Sequence, residues 1–152
     1  RLSRDGGETW QAVGPTPEGT TLHWLSLAPL YAKWQVLLAH GNNGLLYRSA
    51  DGGITWAAVL ATELATAELA YAPDIEVNRP LYLVATARDP SGQAAAARGA
   101  LYRSRDGGQT WESVALGEDV SPTALAISPA FVRDHIVFVG TSDGRLLTII
   151  ED

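Results

Sequence analysis

The sequence contains no cysteine and no methionine, only two phenylalanines, and a single lysine, Lys33, among eleven basic residues. Without thiols there can be no disulfide, no thiolate zinc site and no cysteine nucleophile, and the redox compartment is left open. The Arg-for-Lys skew has no functional meaning by itself. No apolar run approaches the roughly 18 residues that a membrane-spanning helix requires, and no signal peptide or lipidation motif is visible. The formal net charge of −6 argues against a nucleic-acid or anionic-membrane partner. Neither a G-x-S-x-G elbow nor a phosphate loop occurs. The three histidines have no ligand spacing, so no metal site and no cofactor are expected.

What is present is a globular composition, 46% hydrophobic and 18% charged, over 152 residues, enough to bury a core. Within it one pattern recurs. Ser3, Asp5, Gly7, Thr9 and Trp10 form an S-x-D-G-G-x-T-W box, which returns at Ser49, Asp51, Gly53, Thr55 and Trp56, and again at Ser104, Asp106, Gly108, Thr110 and Trp111. The aspartates are separated by 46 and then 55 residues. Propeller blades run about 40 to 50 residues, so the first spacing fits and the second needs an insertion.

A second motif lies between the boxes. Leu25 to Pro29, Leu69 to Pro73 and Leu125 to Pro129 match one another, and each is followed by an apolar run, a turn with glycine, and another apolar run. Each unit thus holds four short strand candidates bounded by turn residues. For the first unit they are A (near 21–28), B (34–39), C (44–49) and D (about 55–60). The stretch Leu60 to Leu69 could form one helical turn and is read as a connection.

Twelve strands, or about three four-stranded antiparallel blades, are expected, in an all-β fold. Residues 1–20 are expected to hold the last strand of a blade and a link. Residues 21–60 form a blade, 61–116 a blade with an insertion at 85–98 between strands B and C, and 117–152 strands A to C of another. Three blades are fewer than the usual four to eight. The abrupt ends point to a window of a longer propeller, or to a ring-forming piece that assembles as a homo-oligomer.

Every residue type in the box has a structural task. Asp can accept hydrogen bonds from backbone N–H groups a few residues on, the glycines supply positive φ, Thr begins the outgoing strand, and Trp offers a large apolar surface. The pattern resembles the Asp box, or BNR repeat, found in sialidases, xyloglucanase-type glycosidases, sortilin-type receptors and photosynthetic assembly-factor propellers. Ser128 to Asp134, S-P-x-F-x-x-D, also resembles unclassified bacterial Asp-box propellers. The resemblance implies a propeller fold and an extracytoplasmic setting. It implies little about activity, because one fold hosts unrelated functions.

In a four-stranded meander the A–B and C–D turns share one end, and the B–C turns and D–A links the other. The boxes therefore lie on one face. The resemblance to the glycosidases implies that a ligand would lie on the opposite one. Candidate binding residues are those that break the repeat there: His23 and Trp24 on strand A, His40, Asn42 and Asn43 at a B–C turn, and Arg88 and Arg98 flanking the insertion. Neither the arginine triad of a sialidase nor a two-carboxylate pair can be assembled. Glu63, Glu68, Glu118 and Asp119 lie on or near D–A links as ordinary connections. The expected function is a non-catalytic binding or scaffold propeller with a protein or carbohydrate ligand. The alternatives are part of a sialidase-like or xyloglucanase-like glycoside hydrolase, and a self-assembling propeller fragment.

Overall fold

Short runs of β-branched, aromatic and leucine residues, bounded by turn residues, pair with their sequence neighbours in antiparallel ladders. In the computed structural model, which describes residues 3–11, 14–15, 17, 19–62, 66–73, 80–86 and 99–151, this produces three antiparallel sheets. The first contains β1 (Leu22–Leu27), β2 (Leu37–Gly41), β3 (Leu45–Ser49) and β4 (Ala57–Ala61) in sequential order. The second contains β5 (Thr66–Tyr71), β6 (Leu81–Thr86), β7 (Gly99–Ser104) and β8 (Glu112–Val114), again in order. The third has β9 (Pro122–Ile127), β10 (Ile136–Thr141) and β11 (Leu146–Ile150), with β10 central. The all-β fold is a partial propeller of about three blades. Of the twelve strands expected, eleven form among the described residues; the first D strand is represented by a single bridged residue, Gln11.

Register shows which side chains share a face. In the first sheet Trp24 and Leu46 lie opposite His40, and Ser26 and Arg48 lie opposite Leu38. This face packs on the second sheet through a cluster of Leu38, Leu46, Leu81 and Leu83, with Tyr71, Tyr102 and Trp111 at its margin. The other face of the second sheet carries Tyr82, Val84 and Leu101. It meets Leu125, Phe131, Val137 and Val139 of the third sheet in a second cluster. The Phe131 ring stands edge-on to Tyr82 with centroids 6.3 Å apart, a favourable quadrupole arrangement.

Two connections differ from expectation. Strand B begins at Leu37, not near residue 34, because a single helical turn precedes it: α1 (Tyr31–Trp34), matched by α2 (Phe131–Asp134) in the third unit. Each turn closes with backbone bonds to the residue four back, such as Trp34 N–H to Leu30 O at 3.0 Å and His135 N–H to Phe131 O at 2.9 Å. Each ends at a residue of positive φ, Gln35 (51°) and His135 (52°). Side chains shape the second turn: the Ser128 hydroxyl donates to Asp134 at 2.6 Å, and Ile136 N–H donates to the same carboxylate at 3.1 Å. The Leu60 to Leu69 connection is mostly strand, since β4 runs to Ala61 and β5 starts at Thr66. Glu68 accordingly sits on a strand facing the third sheet, where its carboxylate accepts the Leu125 N–H at 3.0 Å. Most of the 85–98 insertion, 87–98, lies outside the described residues, as does Glu63.

Leu83 is 0% exposed at the first joint. Leu83→Ala should cost about 3 kcal/mol through lost burial and an incompletely collapsed cavity, read as a lower urea midpoint at unchanged slope.

Candidate functional site

The three boxes are built alike. In the third, the Ser104 hydroxyl donates to Asp106 at 2.9 Å and accepts the Gly108 N–H at 2.8 Å. Asp106 Oδ1 accepts the N–H groups of Gln109 and Thr110, both at 2.9 Å, and Oδ2 accepts the Thr110 hydroxyl at 2.6 Å. The Trp111 indole N–H closes the loop on Gly108 O at 3.2 Å. Gly107 and Gly108 have φ of 74° and 83°, which a side chain would strain. Asp51 repeats this set with Ser49, Ile54 and Thr55, and Asp5 bonds Ser3 and both the N–H and hydroxyl of Thr9. The threonine is thus a second anchor inside the turn, not the first strand residue; β4 and β8 start at Ala57 and Glu112. Sequence reasoning missed the Ser and Thr hydroxyls as ligands of the carboxylate, although their spacing of two and four residues from Asp carried that signal.

These bonds hold the box carboxyls ionised. Asp51 is lowered to about 2, first by the Thr55 hydroxyl, then by its N–H and by Ser49. Asp5 is lowered in the same way by Thr9 and Ser3. At Asp106 burial pushes upward, but the Thr110 and Ser104 bonds outweigh it and the pKa falls. Around the same end the sheets are tied by arginines. Arg48 Nε donates to Gly107 O at 2.9 Å across the first joint. Arg103 pairs with Glu112 at 2.8 Å and with Glu151 of the third unit, which Arg105 also reaches at 3.2 Å.

The opposite end gathers the residues that break the repeat. Trp24 and His40 are paired across β1 and β2 on the face turned to the second sheet. His40 is 4% exposed, in the position that Val84 and Gly140 hold in the later units, and its Nε2 lies 3.4 Å from the Thr62 hydroxyl. Burial, then nearby His23, pushes its pKa down. Trp24 is half-buried against the first leucine cluster, and His23 is exposed beside it. Asn42 and Asn43 are exposed at the β2–β3 turn. Asn42 exchanges bonds with Thr21, its N–H to Thr21 O at 2.9 Å and its side-chain oxygen from Thr21 N–H at 3.1 Å. The Asn43 amide donates to the Tyr47 hydroxyl at 2.7 Å and to Thr20 at 3.2 Å. Five of the seven candidates, His23, Trp24, His40, Asn42 and Asn43, therefore sit at one end of the first sheet. Arg88 and Arg98 lie outside the described residues. No metal-holding cluster of His, Asp and Glu occurs among the described residues.

Two pH effects follow. Because the box carboxyls have folded pKa values below the unfolded 3.8, their contribution is complete above that value and is lost as pH falls toward 2. Asp106→Asn should cost about 2 kcal/mol at pH 7 and flatten the acid limb of a urea-midpoint profile below 3.8. His40 is held neutral, so stability present above its unfolded 6.5 should fall as pH drops below it. His40→Val, the residue at the equivalent position in the second sheet, should remove that part of the profile.

The BNR/Asp-box repeat family matches residues 1–12, 47–58 and 102–113, the three boxes and their flanks. A comparison with curated proteins finds no match. Among solved structures the chain is similar to YCF48 from Cyanidioschyzon merolae, with 18% identity and a TM-score of 0.51. The likeness covers 88% of this chain and 38% of that one, so the chain spans well under half the length of its structural relative. The chain thus carries three BNR/Asp-box repeats on sheets stacked in the manner of propeller blades.

Proposed function

We propose that this propeller piece is a non-catalytic binding or scaffold surface, engaging a protein or carbohydrate ligand at the end away from the boxes. Exposed His23, Asn42 and Asn43 form the reachable part of that surface, and Trp24 and His40 support it from the joint below. Arg88 and Arg98 are proposed to add cationic contacts from the insertion.

The observation that carries the non-catalytic reading is the direction of the carboxyl pKa values. A two-carboxylate glycosidase needs one acid held protonated near neutrality, which requires an upward shift. Among the described residues the five displaced carboxyls, Asp5, Asp51, Asp106, Asp134 and Asp143, all move downward, each gripped by hydrogen bonds of its own turn. Glu68, Glu112 and Glu151 are engaged between strands or sheets. These eight acidic groups hold the fold, which supports a binding surface over a carboxylate catalyst.

The expected outcome with aryl glycosides and sialosides is no turnover above the uncatalysed rate. Turnover by the protein that a single carboxylate substitution abolishes would overturn the reading in favour of a hydrolase.

A further inference from the structure

A short chain of polar contacts closes the far end of the first sheet. Thr62, just past β4, donates both its N–H and its hydroxyl to Gly44 O of the β2–β3 turn, at 2.8 and 3.1 Å. With its proton committed there, the hydroxyl can only accept from His40, whose Nε2 lies 3.4 Å away. The neutral His40 ring therefore carries its proton on Nε2, directed at Thr62. Asn42 and Asn43 stand on the turn that Thr62 ties down, and Trp24 lies opposite His40 on β1. One buried imidazole thus supports the turn and the strand that present His23, Asn42 and Asn43 to solvent.

This ring has nothing to balance a positive charge. The titratable and charged side chains around it are His23 on β1, Arg48 further along β3, and Tyr71 and Tyr102 on the second sheet. Arg48 is turned to Gly107 O, and Glu68 and Arg103 reach toward the third sheet. No carboxylate meets His40 among the described residues. The equivalent positions in the later units hold Val84 and Gly140, which carry no charge. Of the three histidines, His23 and His135 are exposed and His40 is buried.

We propose that His40 is a pH-sensitive latch for this end of the first sheet: when its ring gains a second proton, the Trp24 strand and the turn carrying Asn42 and Asn43 come open while the boxes and the leucine joint stay closed. Desolvation, then nearby His23, opposes that proton in the closed form, whereas the opened ring in water takes it up near 6.5. The closed form is therefore fully favoured above 6.5. Below it the open population rises about tenfold per pH unit until the closed ring is protonated as well. The box carboxyls are displaced downward and stay ionised throughout this range, so the box end does not respond. Use of the latch to release a ligand under acidic conditions rests on the binding reading above; the opening itself does not.

Amide hydrogen exchange at about pH 7.5 and about pH 5, corrected for the intrinsic rates and repeated in low urea, tests the latch without any ligand. Its failure is thus distinct from failure of the binding reading. On acidification, protection at residues 22–27 and 38–44 should fall by up to about thirtyfold, in a step that low urea does not accelerate. Residues 81–86 should instead exchange with the full urea dependence of global unfolding. His40→Val should abolish the urea-independent step, and His135→Asn, at the box end, should retain it. Nuclear magnetic resonance of the wild-type histidines gives a readout that needs no variant. One ring should be in the Nε2–H form at neutral pH and should titrate below 6.5, in step with the lost protection. Four results would overturn the proposal: equal protection at both pH values, a fall that persists in His40→Val, exchange at 22–27 that follows urea as 81–86 does, or no ring titrating below 6.5.

Discussion

Each of these sheets is apolar on both faces, and a sheet of that kind cannot stand in water by itself. Leu81 and Leu83 point one way from β6, Tyr82 and Val84 the other, and all four are 2% exposed or less. Stacking is the only arrangement that removes both sets from solvent, and it makes the sheets mutually dependent in the way of repeat proteins. Polar contacts then set how the sheets sit on one another. Arg48 reaches Gly107 O, Arg103 and Arg105 reach Glu151, and Glu68 caps the Leu125 N–H. Such contacts satisfy groups that packing would strand at the margins of an apolar joint.

The hairpin turns follow a related logic. A turn between strands C and D leaves several N–H groups pointing inward, and one ionised carboxylate with a serine and a threonine beside it accepts or bridges them. Ser128 and Asp134 do comparable work at the other turn of that end. Side chains that look reactive in isolation are thereby committed to geometry, and the surface open to variation lies at the far end of the blades. There the turn needs only a glycine and a tight reversal, so residues such as His23 and Asn42 can differ from unit to unit.

Much of this was legible before any coordinates. Strand order and the end on which the boxes lie both come from period and turn chemistry, which act over a few residues. The helical turns at Tyr31–Trp34 and Phe131–Asp134 escaped, because four residues carry no periodicity and their closure depends on backbone bonds. Ala and Glu favour helix or loop locally, so Glu68 reads as part of a link from sequence, whereas pairing with β6 draws it into a strand.

The repeat, the turns and the all-β class follow from the residues alone, since each rests on local steric and hydrogen-bonding preferences. Which side chains are reachable depends on how the sheets pack. His40 and Asn42 are two residues apart at the same strand end; the first is buried on the face turned to the second sheet, beside Thr62, and the second is open to solvent. That difference comes from a surface far away in the chain, and alternation along one strand cannot reveal whether the opposing face is occupied.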